Sequence, residues 1–419
     1  MLPQSRRMRR LMIAMIVDSF GSGLFGPFAL LYATVVVGVS LPAAGAALGA
    51  ASIAALGVGL MAGVLVDRFG AARIAVTGNL LAALGGAVLL VARNLPVFVL
   101  GSFLSAVAIR VFWSAFAPLV GEVAGPADRE RWFGLVRGSR YAGMAAGGLL
   151  ASVALLLGQR TGLLVMAVVD AASYLVAGLL IATAGVTTSR AAVVADTAPT
   201  YRLALRDRDN VVLALLNVPA TLLITAPTLA MPVYVLTVLD QPAWVPGVLA
   251  GAGTAAVAIG LTFVHRVTAG RRRLMVLATA SLVWTVGALA YASASATTAG
   301  LTVAVLLVAV LAIAAGEALH GPTADTLPLT LAPPGLAGRY TAVHQLAWGI
   351  SGAIAPALVG ALLGHSATVL WLVLAVIAAT TAVTYVLLPA RAHDRSMRVG
   401  SAPDGSRPVL DSQPVPLPQ

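Results

Sequence analysis

Three ionisable side chains stand deep inside apolar stretches of this 419-residue chain: Asp18, Arg110 and Glu317. A charge in such a setting is expensive, and it is usually retained for ion or proton movement, substrate contact or pairing with an opposite charge. A carboxylate can take up and release a proton as a cation withdraws and returns, because the cation favours the ionised form and desolvation the neutral one. Asp18 lies about eight residues beyond Arg10, and Arg110 about 11 residues from the inner end of its own segment. At 1.5 Å per residue both are roughly 12 to 16 Å deep. The expectation is an Asp18–Arg110 pair, either static or opened once in each working cycle. Glu317, with His320 at i+3, suits proton handling, substrate contact or a pair reaching for the inner end of its helix. Glu-x-x-His also occurs in di-iron bundles, but those need further Glu and His ligands on facing helices. With five His and no second such pair, no metal and no cofactor are expected. Asp325 reads as interfacial. Asp170 reads as an interhelical hydrogen-bonding residue, partnered by Tyr174 at i+4, with a transport role as the alternative.

Helical periodicity adds cavity candidates. Asp18, Ser22, Phe25 and Tyr32 share one face of the first segment, and Arg110, Trp113, Ser114 and Ala117 one face of the fourth. Asn217, Thr221, Thr225 and Thr228 form a polar stripe near Pro219, Pro227 and Pro232. Aromatics mixed with a few polar groups suit an amphipathic organic ligand, and the same aromatics equally suit lipid contact or helix packing.

The elements that must carry these residues follow from composition. Hydrophobic residues make up 59% of the chain and charged residues 10%, against roughly 25% charged in soluble domains. A spanning helix needs about 20 apolar residues, and continuous rather than alternating runs point to helices, not a barrel. Twelve segments are expected, near 11–38, 43–66, 73–92, 95–121, 136–157, 161–184, 210–237, 244–266, 273–294, 299–320, 339–363 and 367–389. The fold class is an all-α polytopic membrane protein built as two pseudo-symmetric six-helix bundles. The bundles occupy 1–186 and 210–390, with a central loop at 187–209 and a disordered tail at 391–419. Cys is absent, which excludes disulfides, thiol nucleophiles and thiolate metal sites.

All 26 basic residues are Arg. Twenty-three of them map to loops and ends on one face, Arg137 and Arg140 included, against Arg93 and Arg160 opposite and Arg110 within a helix. This is the positive-inside pattern: both termini are expected in the cytoplasm of a multi-pass cell-membrane protein. The net charge of +11 then reflects topology, and no nucleic-acid partner is needed. The two halves also echo each other, since Arg131-Trp132 and Arg339-Tyr340 lie 208 residues apart. Two repeated six-helix halves with a site between them near mid-membrane is a known transporter plan.

Two motifs carry a family resemblance. Gly63-Val-Leu-Val-Asp67-Arg68-Phe69-Gly70-Ala-Ala-Arg73 sits between segments two and three and resembles the loop signature of the major facilitator superfamily, G-x-x-x-D-R-x-G-[RK]-[RK], departing from it at Ala71 and Ala72. Gly134, Gly143 and Gly147 reproduce the spacing of that superfamily's antiporter motif, although Gly148 stands where the motif has Pro. The same small residues suit close helix packing in lipid. The resemblance implies a twelve-helix drug/proton antiporter that works by alternating access, with Asp18 and Arg110 as the acid of helix one and the base of helix four. It implies cavity residues among Ser22, Phe25, Tyr32, Trp113, Ser114, Asn217, Thr221, Thr225 and His320. Gly63, Asp67, Arg68, Gly70, Arg73, Gly143 and Gly147 would form the conformational switch. The partners expected are an amphipathic small molecule, protons and the bilayer, on a monomer. The alternatives are a proton symporter for a metabolite and a receptor without transport. No phosphate loop and no Lys are present, so ATP is not expected to drive it. Neither a His-Glu-x-x-His metal motif nor a nucleophile–base set is found, so an enzyme is not expected.

Overall fold

The computed structural model describes residues 6–184, 202–333 and 336–388. Among them are twelve helices long and apolar enough to cross a membrane. In the amino-terminal half these are α1 (Arg6–Val37), α2 (Leu41–Phe69), α3 (Ala71–Val91), α4 (Leu95–Val123), α5 (Trp132–Leu156) and α6 (Gln159–Ala182). In the carboxy-terminal half they are α7 (Arg208–Val238), α8 (Val245–Thr268), α9 (Arg273–Ala294), α10 (Gly300–Leu331), α11 (Arg339–His365) and α12 (Ala367–Leu387). Helices dominate because lipid offers no partner for an open N–H or C=O, so each segment must satisfy its own backbone. Large side chains face outward bare, with Leu387 74% and Val91 67% exposed, as suits hydrocarbon contact.

Local chemistry sets the ends and bends. Gly70, at φ +89°, makes the one-residue turn from α2 to α3, a conformation that a Cβ would strain. Pro27 tightens α1 into a 3₁₀ turn at Gly26–Phe28, since proline lacks the N–H that an α-turn needs. The side chains of Asn94, Asp207 and Ser366 accept backbone N–H bonds at the starts of α4, α7 and α12, the ordinary work of an N-cap.

Three segments differ from expectation. Helical hydrogen bonding runs unbroken from Leu95 to Leu156, yet Phe116 and Phe133 touch at 6.2 Å between ring centroids. On a straight helix they would be about 25 Å apart, so the chain doubles back between them. Helix α10 continues past residue 320, through Pro322 and Pro328, to Leu331, which places Asp325 on the helix. Within the expected central loop, Arg202–Arg206 forms a short helix. Residues 187–201 and 391–419 lie outside the described residues.

The halves repeat. Tyr32 donates to the Leu89 carbonyl at 2.9 Å, and Tyr234 to that of Tyr291 at 3.0 Å, each across 57 residues of chain. Both helices that start the halves end in a π turn, Ala33–Val37 and Tyr234–Val238. Tyr234 follows Tyr32 by 202 residues, so the internal shift here is shorter than the 208 read from the Arg-aromatic pairs.

The halves meet along α2–α11 and α5–α8. On the face opposite the termini these contacts are backbone to backbone. A Cβ on Gly45 would lie 2.9 Å from Gly360 Cα, and one on Gly148 would lie 2.8 Å from Gly251 N. Nearer the terminal face, Gly57 of α2 and Gly138 of α5 meet nothing within 4 Å.

Candidate functional site

Polar chemistry collects at three places. The first is within the amino-terminal half. Arg140 Nη1 on α5 donates to Asp18 Oδ2 on α1 at 2.8 Å, and both side chains are nearly buried. The guanidinium carbon lies 4.9 Å from the centre of the Trp113 ring and 5.9 Å from those of Phe112 and Phe116. The aromatic faces supply negative potential to a cation held out of water. Ser22 donates to the Asp18 carbonyl and lies 3.1 Å from the Tyr174 hydroxyl of α6.

The expected partner of Asp18 was Arg110, and the structure corrects this. The reason is helix rotation: Arg110 lies two residues before Phe112, about 200° round α4 from the Phe112 and Phe116 rings, and its guanidinium is turned away from Asp18. Its guanidinium faces α11, where a Cβ on Gly349 would lie 3.4 Å from Nη2. Among the described residues, no carboxylate stands within ion-pair distance of it. By sequence Arg140 counts among the cytoplasmic positions, near the start of the fifth segment at 136–157, but α5 starts at Trp132, so Arg140 is already two turns inside. Counting the apolar run from Trp132 and Phe133 would have found it.

The second place is the seam between the halves. Arg137 Nη1 on α5 pairs with Asp325 Oδ2 on α10 at 3.0 Å, with both side chains partly exposed. One turn deeper, Tyr141 donates to Glu317 Oε1 at 3.2 Å. A cavity of about 50 Å³ opens here, lined among others by Arg137, Glu317, His320, Asp325, Asn217 and Trp348. That volume is room for a few water molecules, far less than a drug-sized ligand needs. Neither Arg137 nor Tyr141 was singled out in the sequence, because their partners lie in the other half.

The third place is the α7–α11 seam. Thr221 and Ser351 share a 2.6 Å hydroxyl contact, and Asn217 Nδ2 donates to the His344 carbonyl at 3.4 Å. Thr225 and Thr228 return their hydroxyls to their own helix.

Other expected residues sort by position. Phe25 and Tyr32 pack edge to face at 5.3 Å inside a buried core to which both halves contribute, and Ser22 lies in the α1–α6 seam. These three are therefore packing residues in this conformation, not cavity lining. Trp113 is half-exposed beneath Arg140. Ser114 donates to the Val111 carbonyl of its own helix. His320 is buried against Trp284, with both ring nitrogens unpartnered, and it lines the seam cavity. Gly143 and Gly147 seat α5 against α1, where a Cβ would meet Ile16 O at 2.7 Å and Leu24 N at 2.8 Å. Arg68 packs over Phe69, and Arg73 is exposed. Gly63 meets nothing within 4 Å. The side chain of Asp67 lies outside the described residues. Among the described residues, no group of three His, Cys, Asp or Glu could hold a metal ion.

Twelve helices in two repeated bundles, with ionic centres inside one bundle and across the seam, define a polytopic transporter fold. A sequence profile of the Major Facilitator Superfamily matches residues 11–356, so the chain belongs to that superfamily. The chain is 37% identical over 108 residues to the multidrug resistance protein MdtH of Klebsiella pneumoniae (strain 342). A similar stretch of MdtH from Proteus mirabilis (strain HI4320) is 35% identical over 112 residues. These matches span 26% and 27% of this chain, and 27% and 28% of the two relatives, about a quarter of their length. An auto-inhibited POT family peptide transporter has a TM-score of 0.76 at 14% identity, over 96% of this chain and 99% of that one. A bacterial homologue of the iron transporter ferroportin scores 0.68 at 15% identity, over 91% and 99%. At such identities the likeness is one of fold.

Proposed function

We propose that this protein exports an amphipathic organic compound in exchange for protons, by alternating access. The observation that carries the reading is the buried Asp18–Arg140 pair. Apolar helices in lipid need no such pair to associate, and desolvating two charges can cost more than their attraction returns, so an ionisable pair at this depth points to function. The partial likeness to MdtH proteins favours a drug or a secondary metabolite over a nutrient. With the arginine-rich termini in the cytoplasm, the glycine contacts close the outward side. The inward side is then held by Arg137–Asp325 and Tyr141–Glu317 around a cavity too small for substrate. Parting these two contacts would open a path for a ligand, with Arg110, Trp113, Glu317 and His320 around it. Protonation of Asp18 would release Arg140, and its loss of the proton would recapture it, which couples the proton to the swing of the halves. The protein is proposed to work as a monomer in the cell membrane.

The test uses inverted membrane vesicles, a panel of dyes and antibiotics, and an imposed pH gradient. Gradient-driven accumulation of at least one compound is expected, with loss of that accumulation in Asp18→Asn at normal expression. Accumulation unchanged in the variant removes Asp18 as the coupling site. Gradient-driven movement in the opposite direction replaces export with uptake.

A further inference from the structure

Beside the Asp18–Arg140 pair stands a second carboxylate that the pair leaves uncompensated. Asp170 on α6 is 8% exposed, and its Oδ1 is buried with no hydrogen-bond partner. It faces α1 where that helix is bare. A Cβ on Gly21 would lie 2.9 Å from Asp170 Oδ1 and would collide with the Ser173 hydroxyl, so both oxygens border one small gap. The ionisable groups that act on Asp170 are Asp18 on α1 and Tyr174 on its own helix, which is hydrogen-bonded to its side chain; Arg140 on α5 acts on Tyr174 and is held by Asp18. From α3 the contacts are Asn79 and Gly86, which pack against Gly178 and Ala171 and carry no charge. Of the two carboxylates, only Asp18 holds a guanidinium.

A buried carboxylate with neither a cation nor a donor on one oxygen is not tenable as an anion. The Ser173 hydroxyl gives its hydrogen to the Asp170 carbonyl at 2.7 Å, which leaves its lone pairs free to accept. A neutral carboxylic acid suits this setting: no buried anion is left without a cation, and the charges of Asp18 and Arg140 sum to zero. We propose that Asp170 is a second proton-binding residue of the amino-terminal half, neutral in this conformation. This deepens the proton-coupled reading by making the coupling centre a pair of acids with one Arg, one acid protonated and one ion-paired. When Arg140 leaves Asp18, a proton from the aqueous side binds Asp18 and the centre holds two.

The test needs no transport, so it stands or falls apart from the export reading. Melting temperature is measured in detergent from pH 5 to pH 8 for the parent, Asp170→Asn and Asp18→Asn, with sodium or N-methylglucamine as the salt cation. The unfolded chain releases the Asp170 proton above about pH 4, whereas the folded parent keeps it. The parent should therefore lose stability relative to Asp170→Asn as pH rises across the window. The expected relative fall is several degrees, unaffected by sodium. Parallel curves for parent and Asp170→Asn overturn the proposal. So does a sodium-dependent gain in the parent that Asp170→Asn lacks, which would assign the gap to a metal cation. If Asp170→Asn does not fold, infrared spectra of Asp18→Asn with isotope-labelled aspartate at pH 8 decide the matter. A protonated aspartic carboxyl band supports the proposal, and its absence defeats it.

Discussion

Arg140 does most for the least sequence signal. It neutralises Asp18 at 2.8 Å and lies over three aromatic rings. Breaking a buried pair by deleting one partner costs about 3–5 kcal/mol, so Arg140→Ala should lower the melting temperature in detergent by roughly 5 °C. The double change Asp18→Asn with Arg140→Gln removes both charges and should recover most of that loss without recovering proton coupling. Arg110→Ala should behave otherwise. With no carboxylate to abandon, it should keep the parent's stability within about 1 kcal/mol while transport falls. The check is thermal unfolding beside vesicle transport for all three. Equal stability losses in Arg140→Ala and Arg110→Ala would show that the two arginines are not distinguished as the geometry requires.

Adjacent glycines on α5 divide the labour of that helix. Gly147 faces α1 within its own half, and Gly148 faces α8 in the other half. A methyl group at either position meets backbone, which cannot swing aside as a side chain would, and such overpacking costs about 1–3 kcal/mol. Gly147→Ala should destabilise the fold, because α1 and α5 stay together in every conformation of the half. Gly148→Ala should leave the melting temperature closer to the parent's, since the halves can part there, and it should bias the protein toward opening on the face opposite the termini. Cysteine accessibility at Ser152 reports this, because the chain has no Cys of its own. A Ser152→Cys probe should label several-fold faster in the Gly148→Ala background. The tyrosine anchors give a second check on helix packing. Tyr32→Phe and Tyr234→Phe each remove a side-chain hydrogen bond to a carbonyl, on α3 and α9, and should cost a similar 0.5–1.5 kcal/mol or so, as repeated positions ought to.

Across the whole molecule, the contacts between halves are unequal at the two faces, and conformational exchange should follow that inequality. Arg137 and Asp325 are about half exposed, so their pair contributes little to stability, about 0–1 kcal/mol. Its weight falls on the balance between conformations, where such a difference shifts populations several-fold. Arg137→Asp and Asp325→Arg should each shift that balance and slow transport, and the double exchange should restore both. Distances between labels on the terminal-face ends of α5 and α10 provide the measurement. Sidedness is tested in the same cysteine-free chain. An impermeant thiol reagent on intact cells should label Arg160→Cys and spare Arg73→Cys.

Much of this was legible before any coordinates. Twelve spans, the doubled plan and a glycine turn at Gly70 follow from apolar run length, charge distribution and the steric demands of a one-residue reversal, all local or one-dimensional properties. That Asp18, Glu317 and Asp170 are costly and therefore notable also follows from their neighbours in the chain. What the sequence could not decide is partnership. Which arginine meets Asp18 depends on the rotation of α4 and α5 about their own axes, and a change of one residue turns a side chain by about 100°. The pairing of Arg137 with Asp325 spans 188 residues and exists because two half-bundles are apposed in space. Tyr32 and Phe25 shared a face with Asp18 by periodicity, yet the 3₁₀ turn at Pro27 and the close seat of α1 against its neighbours turned them into the core. Helical period tells which residues share a face. Only the packed bundle decides what that face meets.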